Sequence, residues 1–127
     1  MNKNVLRRCL QQAQIKVSPE THPCWELKSQ HVSFVVQYNK ILGFGYNRVR
    51  GMDDYHQIHA EWDAYCKVRG ILDHNKRWDM INVRITRGGR IAISAPCHKC
   101  HSMLVDLGCK SVYFTLNNGL WAKTILT

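Results

Sequence analysis

The sequence predicts an α/β protein, a three-layer α/β/α sandwich built around a mixed five-stranded sheet. Segments whose apolar residues recur with helical spacing alternate along the chain with short runs rich in β-branched and aromatic residues. Two junctions between such runs carry residues typical of β-hairpin turns. With 127 residues, 45% of them hydrophobic, the chain can bury one core and is short for two. We therefore predict a single domain over residues 1–127.

Each element follows from its local pattern. The first segment aligns its apolar residues on one helical stripe, which indicates a surface helix. Asn39 and the Asn117-Asn118-Gly119 sequence supply the hairpin turns, and Gly108 ends the last helix. In chain order we expect a helix over 5–15, strands over 31–38 and 41–47, a loop over 48–55, a helix over 58–68, a strand over 80–85, a short run over 91–94, a helix over 97–107, and strands over 110–115 and 120–126.

The balance of charges favours an anionic partner. Eighteen Lys and Arg residues oppose nine Asp and Glu residues, which gives a formal net charge of +9 and a pI of about 9.5. Such a surface attracts the phosphates of a nucleotide or of a polynucleotide, and charge alone does not distinguish the two. A basic surface that only maintains solubility is the alternative.

The apolar runs and the cysteines of the sequence indicate the cellular compartment and whether a membrane is involved. No apolar run approaches the roughly 18–20 residues of a membrane span, and no secretory signal is expected. The six cysteines are interpreted as thiols in a reducing compartment, because a chain with this apolar fraction does not need disulfides to fold. We therefore expect a cytoplasmic protein without a membrane partner.

Two short motifs, each at the start of a predicted helix, carry the chemistry. His59-Ala60-Glu61 opens one helix, and Pro96-Cys97-His98-Lys99-Cys100 opens the next. Cysteines three apart at a helix N-terminus share one face, and the helix dipole favours their thiolate forms, so both can bind one Zn²⁺ ion. With His59 the protein ligands number three, which leaves the fourth tetrahedral position for water, as in catalytic zinc sites.

Glu61 is the predicted proton-transfer group of this site. Residues two apart on a regular helix point in different directions, so His59 has to lie at the helix start if both side chains are to reach one cavity. There the carboxylate can take a proton from the zinc-bound water and pass it to a leaving amine.

His-Ala-Glu followed by Pro-Cys-x-x-Cys, each at a helix start, resembles the zinc-dependent cytidine/deoxycytidylate deaminase superfamily. The resemblance covers roughly residues 34–113 and includes Gly43-Phe44-Gly45-Tyr46-Asn47, which is similar to the segment before the His-Ala-Glu helix in deoxycytidylate and tRNA deaminases. It implies a cytidine deaminase-like fold, zinc ligation by His59, Cys97 and Cys100, and a proton shuttle at Glu61. It also implies substrate contacts at Asn47, Ala60, Ser94 and Ala95.

The activity that the resemblance implies is hydrolytic deamination of a nucleobase. We expect the reaction to convert cytosine to uracil in a nucleoside or nucleotide. A zinc-bound hydroxide would attack C4 while Glu61 moves the protons. The final hairpin resembles that of free-nucleoside cytidine deaminases and of several phage deaminases. Small members of the family generally assemble, and an exposed final strand would leave an open sheet edge, so a homo-oligomer is expected.

Two other functions stay open. One is a deaminase that edits cytosine or adenine in single-stranded DNA or tRNA, which the charge of +9 favours. The other is a non-enzymatic, zinc-stabilised nucleic-acid-binding module in which His98, His101 or Cys109 supplies a fourth ligand. A haem attachment motif and a thioredoxin-like redox pair also match C-x-x-C, but the first requires export and the second leaves the His-Ala-Glu motif without a role.

Arginines in two loops near the predicted cavity are candidate phosphate contacts. A solvated basic rim is the alternative interpretation. These residues are Arg48, Arg50, Arg87 and Arg90.

Overall fold

A computed structural model describes residues 1–16, 29–49, 57–86 and 88–126. Within these residues three helices and eight strands form. In chain order they are α1 (Lys3–Lys16), β1 (Ser29–Gln37), β2 (Lys40–Tyr46), β3 (Arg48–Val49), β4 (Gln57–Ile58), α2 (Ala60–Val68), β5 (Asp79–Thr86), β6 (Ile91–Ala92), α3 (His98–Asp106), β7 (Ser111–Thr115) and β8 (Trp121–Ile125). None of the helices in the described part of the chain has the length and apolar character to cross a membrane.

Five strands form one mixed sheet in the order β2-β1-β5-β7-β8. The pair β5 and β7 is parallel, and the other neighbouring pairs are antiparallel. The two-residue strand β6 also pairs with β5. Because β1 occupies one edge of β5 along its whole length, β6 lies on the same edge as β7, beyond the last β5–β7 pair. The predicted mixed five-stranded sheet is confirmed, with β6 as a short sixth strand.

Helices cover both faces of the sheet, which confirms the three-layer class. Successive side chains of a strand point to opposite faces, so β1 contributes to two separate cores. Val32, Phe34 and Val36 pack in a first core with the buried stripe of α1. Val35 packs in a second core with residues of α2, α3 and the sheet. The members of this second core include Ala64, Val68, Leu104, Met80 and Val112.

Both predicted hairpins are present. Tyr38 and Asn39 form the turn between β1 and β2, with φ of 56° and 59° respectively. Such left-handed pairs match the right-handed twist of the strands that they join. In the turn between β7 and β8, Gly119 has a φ of 81°.

The segment before α2 differs from the prediction. The sequence predicts a loop over 48–55 and a helix from about Ile58, but Arg48–Val49 and Gln57–Ile58 pair as two short antiparallel strands. The helix begins at Ala60 because His59 is extended, with φ −76° and ψ 149°, and forms its N-cap. Residues 50–55 of the predicted loop lie outside the described residues.

The cysteines of the described residues are free thiols. Cys9 lies in the first core and Cys109 in the second. Burial raises the pKa of each of these two thiols to about 12. Both thiols therefore serve as small apolar residues of the two cores. Cys66 is partly exposed on α2, and Cys24 lies outside the described residues.

Strand β2 and helix α2 approach each other closely at Gly45. A Cβ added there would lie 2.7 Å from the carbonyl carbon of Asp63 and nearer still to the backbone nitrogen of Ala64. These are backbone atoms in a packed helix, so they cannot give way without moving α2. Next to this contact, Tyr46 N donates a hydrogen bond to Oδ2 of Asp63 at 3.0 Å. The region around Gly45 therefore sets where α2 lies on the sheet.

Substitution of Gly45 by alanine is expected to lower the free energy of unfolding by about 2–3 kcal/mol, because the methyl group overlaps the backbone of α2. Gly70→Ala is the matched control, since a Cβ added at Gly70 meets no heavy atom within 4 Å. Urea unfolding of both variants measures the difference. Equal stability of the two variants would contradict the close approach of β2 and α2.

Candidate functional site

The N-termini of α2 and α3 meet at the polar end of the sheet. The face of β1 that carries Val35 in the second core carries Ser33 two residues earlier. His59 is the N-cap of α2, and Cys97 is the N-cap of α3. Sγ of Cys97 lies 3.7 Å from Nδ1 of His59. The two predicted motifs are therefore neighbours in the fold, although His59 and Cys97 are 38 residues apart in sequence.

His59, Cys97 and Cys100 form a cluster with the donor chemistry of a zinc site. Sγ of Cys100 lies 3.1 Å from Nδ1 of His59. The three candidate ligand atoms all lie within 4.8 Å of one another. A tetrahedral Zn²⁺ ion with ordinary Zn–N and Zn–S bonds requires ligand separations of about 3.6 Å. The two nitrogen–sulfur separations, 3.7 Å and 3.1 Å, lie near that value, and one nitrogen with two sulfur atoms is a donor set that suits zinc.

The described part of the chain provides three ligands, because no further His, Cys, Asp or Glu within it joins the cluster. Cys109, considered from the sequence as a fourth ligand, lies in the second core, where its Sγ donates to the carbonyl oxygen of Ser111 at 3.4 Å. With these three described ligands alone, one tetrahedral position would stay available, which is the arrangement of catalytic zinc sites.

The two cysteines differ in their surroundings. Cys97 is extended, with φ −67° and ψ 165°, and its Sγ accepts a hydrogen bond from Cys100 N at 3.5 Å at the positive end of α3. Cys100 is 5% exposed, and burial, followed by the charge of Glu61, raises the pKa of its thiol well above the usual range. A thiolate at Cys100 therefore needs a neighbouring cation, which a bound metal ion supplies.

A cavity of about 150 Å³ lies beside the cluster. Glu61 is part of its wall and is 6% exposed, and burial raises the pKa of its carboxyl group. Asn82 donates a hydrogen bond from Nδ2 to Oε2 of Glu61 at 3.3 Å. The carboxyl group of Glu61 is thus mostly buried and lies in the cavity wall next to the cluster. The other lining residues are His31, Asn47, His59, Ala60, Ala95 and Cys97.

Strand β1 holds Asn47 in the cavity wall. Asn47 directly follows β2, and its Oδ1 accepts a hydrogen bond from the backbone N–H of His31 at 2.9 Å. The backbone N–H of Asn47 donates in turn to the carbonyl oxygen of His31 at 3.3 Å. The contact of Asn47 with a substrate stays a prediction.

The other predicted substrate contacts fall into two groups. Ala60 and Ala95 line the cavity. Ser94 is not among the lining residues: its side chain is 2% exposed, and its hydroxyl donates to the carbonyl oxygen of Asn82 at 2.9 Å. A role of these three residues toward a substrate stays a prediction.

Of the four arginines predicted to contact phosphate, the structure describes Arg90 and the backbone of Arg48. Arg90 is exposed on the turn between β5 and β6, where its backbone N–H donates to Oγ1 of Thr86 at 3.2 Å, and it does not line the cavity. Only the backbone of Arg48 is described, as part of β3. Arg50 and Arg87 lie outside the described residues.

Two residues beside the site were not predicted from the sequence. Asn82 lies behind Glu61, and His31 lines the cavity. Burial, followed by electrostatic interactions with Arg84 and His59, lowers the pKa of His31 to about 4, so its imidazole is neutral near pH 7. The sequence pattern that could have pointed to these two residues is a polar residue at an alternate position of a strand. The same pattern also occurs where a side chain only faces solvent, so it does not identify a site residue.

Comparison with known proteins identifies the fold. No family model and no curated protein sequence matches the chain. Among solved structures, a cytidine deaminase from Burkholderia pseudomallei superposes with a TM-score of 0.67 at 19% identity, over 99% of this chain and 94% of that chain. A dCMP deaminase from the cyanophage S-TIM5 gives a TM-score of 0.62 at 20% identity, over 91% of this chain and 86% of that chain. The predicted cytidine deaminase-like fold is confirmed.

Loss of a ligand from the cluster is expected to remove tight zinc binding. Cys97→Ser and Cys100→Ser should each lower the zinc affinity by more than about 100-fold, because even changes to groups outside the ligand shell lower affinity about 10- to 100-fold. Competition with a chromogenic chelator measures the affinity. Cys66→Ser is the matched control, since Cys66 is a free thiol on α2 outside the cluster. Equal zinc affinity in all variants would show that the ion binds elsewhere.

Proposed function

We propose that this chain is a zinc-dependent hydrolytic deaminase that converts cytosine to uracil in a nucleoside or nucleotide. The observation that carries the proposal is the position of a buried carboxylate, Glu61, in a cavity wall shared with two members of a His-Cys-Cys cluster. A metal site that serves only stability has no use for such a carboxylate. The cytidine deaminase-like fold supports the same class of reaction.

The proposed mechanism assigns metal binding to His59, Cys97 and Cys100. Bound zinc supplies a water of lowered pKa as the nucleophile at neutral pH. Glu61 would accept a proton from the attacking water and deliver it to N3 of the base. It would then accept the proton of the new C4 hydroxyl and deliver it to the departing amine, so that water and cytosine yield uracil and ammonia. Its burial suits this task, because a carboxyl group with a raised pKa releases its proton more slowly to solvent and holds it for transfer.

The size of the cavity supports a pyrimidine as the base. An apolar protein cavity of about 150 Å³ is known to admit benzene, a single six-membered ring. The cavity beside the cluster has this volume. A two-ring purine would extend beyond this volume. The volume therefore favours cytosine over adenine as the substrate base.

A phosphorylated substrate is favoured over a free nucleoside. The S-TIM5 dCMP deaminase was also solved in complex with dCMP and dUMP, and that structure superposes on this chain with a TM-score of 0.60 at 19% identity, over 88% of this chain and 81% of that chain. The net charge of +9 suits a substrate that carries phosphate. The same charge supports the second candidate function, deamination of a base in single-stranded DNA or tRNA.

Self-association is part of the proposal. Strand β8 is the last strand of the sheet, and Ile125 on it is 64% exposed. A strand edge with unpaired backbone groups and exposed apolar side chains favours contact with another copy of the chain.

Replacement of Glu61 by glutamine is expected to reduce turnover by a factor of about 10² to 10⁴, because the amide cannot exchange the proton. Zinc content should not change, since Glu61 is outside the His-Cys-Cys cluster. Asp106→Asn, at an exposed carboxylate that ends α3, serves as the control and should retain activity. Ammonia release and metal analysis measure both properties. Full activity in the Glu61 variant would overturn the mechanism.

A substrate panel tests the proposal directly. The zinc-loaded protein is expected to release ammonia from cytidine, deoxycytidine or their monophosphates, with a mild dependence on salt because few phosphates are bound. Adenosine, guanine, single-stranded DNA and tRNA complete the panel. Activity confined to a polymer, falling steeply as salt increases, would replace the proposed substrate by a polynucleotide. Zinc bound by four protein ligands, without deamination of any substrate, would favour the non-enzymatic binding module.

A further inference from the structure

A buried hydrogen-bond network lies directly behind Glu61. Its central residue is Asn82, on the middle strand β5 and 2% exposed. Asn82 Nδ2 donates to Oε2 of Glu61 and to the carbonyl oxygen of Ser94, each at 3.3 Å. Its Oδ1 accepts from the hydroxyl of Ser33 at 2.8 Å. The amide of Asn82 therefore connects α2 with the segment that leads into the Cys97 N-cap.

The orientation of this amide is determined by its partners. A carboxylate oxygen and a carbonyl oxygen both accept hydrogen bonds, so the NH₂ group of Asn82 has to face Glu61 and Ser94. A flipped amide would place an oxygen against two acceptors. Ser33 can donate its hydroxyl proton to Oδ1, which completes the arrangement. The three bonds are thus mutually consistent and hold one rotamer.

We propose that Asn82 is a positioning residue that holds the Glu61 carboxylate in the orientation needed for proton transfer and aligns it with the segment before Cys97. This inference rests on the proposed deaminase function. Asn82 does not line the cavity, so it acts through Glu61 and not on the substrate. Misplacement of a catalytic group by about 1 Å can reduce the rate about 100-fold.

The test compares Asn82→Ala with a matched control at another buried amide. Gln37 is 3% exposed at the other end of β1, where its amide bonds to the backbone of Asp73 at 2.8 Å and 3.1 Å. Gln37→Ala removes a similar number of buried hydrogen bonds outside the site. We expect kcat to fall about 10- to 100-fold in Asn82→Ala, with KM and zinc affinity unchanged. In Gln37→Ala we expect kcat, KM and zinc affinity all to stay unchanged. Equal loss of kcat in both variants would assign Asn82 a general structural role and overturn the inference.

A second measurement does not depend on activity. Chemical unfolding of the metal-free wild-type protein, Asn82→Ala, Glu61→Ala and the double variant forms a double-mutant cycle for the two side chains. Non-additive changes in stability are expected if Asn82 and Glu61 interact as described. Strict additivity would overturn the inference even if the protein is an active deaminase. Absence of deamination by the wild-type protein, together with a non-additive cycle, would instead count against the proposed function and leave the contact standing.

If Asn82→Ala does not fold, Ser33→Ala replaces it in both measurements. This variant retains the two donors of Asn82 and removes the hydroxyl that orients its amide. A fall in kcat smaller than that expected for Asn82→Ala, with KM and zinc affinity unchanged, supports the positioning role. Unchanged kcat in Ser33→Ala would contradict it.

Discussion

The candidate site depends on the meeting of two helix N-termini. An N-cap residue is extended and lies outside the helical cylinder, so its side chain can reach past the end of the helix. His59 and Cys97 both occupy this position, and their ring nitrogen and sulfur approach to 3.7 Å. Glu61 and Cys100 follow within the first turn of each helix. One contact between two helix ends thereby gathers the metal donors and the carboxylate.

The sheet determines where that meeting point lies. On the face toward α2 and α3 it is apolar around Val35 and Met80, where the bodies of the helices pack. Two residues away on β1 and β5, the same face carries Ser33 and Asn82, which are buried and hydrogen-bonded to each other. Buried polar groups are tolerated when they are paired, so this end of the sheet can present donors to Glu61 without a large loss of stability.

Sequence patterns predicted the elements well where the pattern was local. The stripe of α1, the two hairpin turns and the end of α3 near Gly108 each depend on residues a few positions apart. The start of α2 was predicted too early, because the pairing of β3 with β4 joins segments that are apart in the chain and keeps Ile58 extended. The cluster of candidate metal donors could be proposed from the sequence because few residue types bind zinc, and their spacing matched helix starts.

The sequence by itself determined the order of the elements apart from β3 and β4, the three-layer class, and the choice of His59, Cys97, Cys100 and Glu61 as candidate site residues. Only the tertiary structure decided that Asn82 supports that carboxylate, that His31 lines the cavity, and that the Ser94 hydroxyl bonds to the carbonyl oxygen of Asn82. The physical reason is that alternate positions of a strand look alike in sequence. Which face is buried, and beside which helix end, depends on packing between residues far apart in the chain.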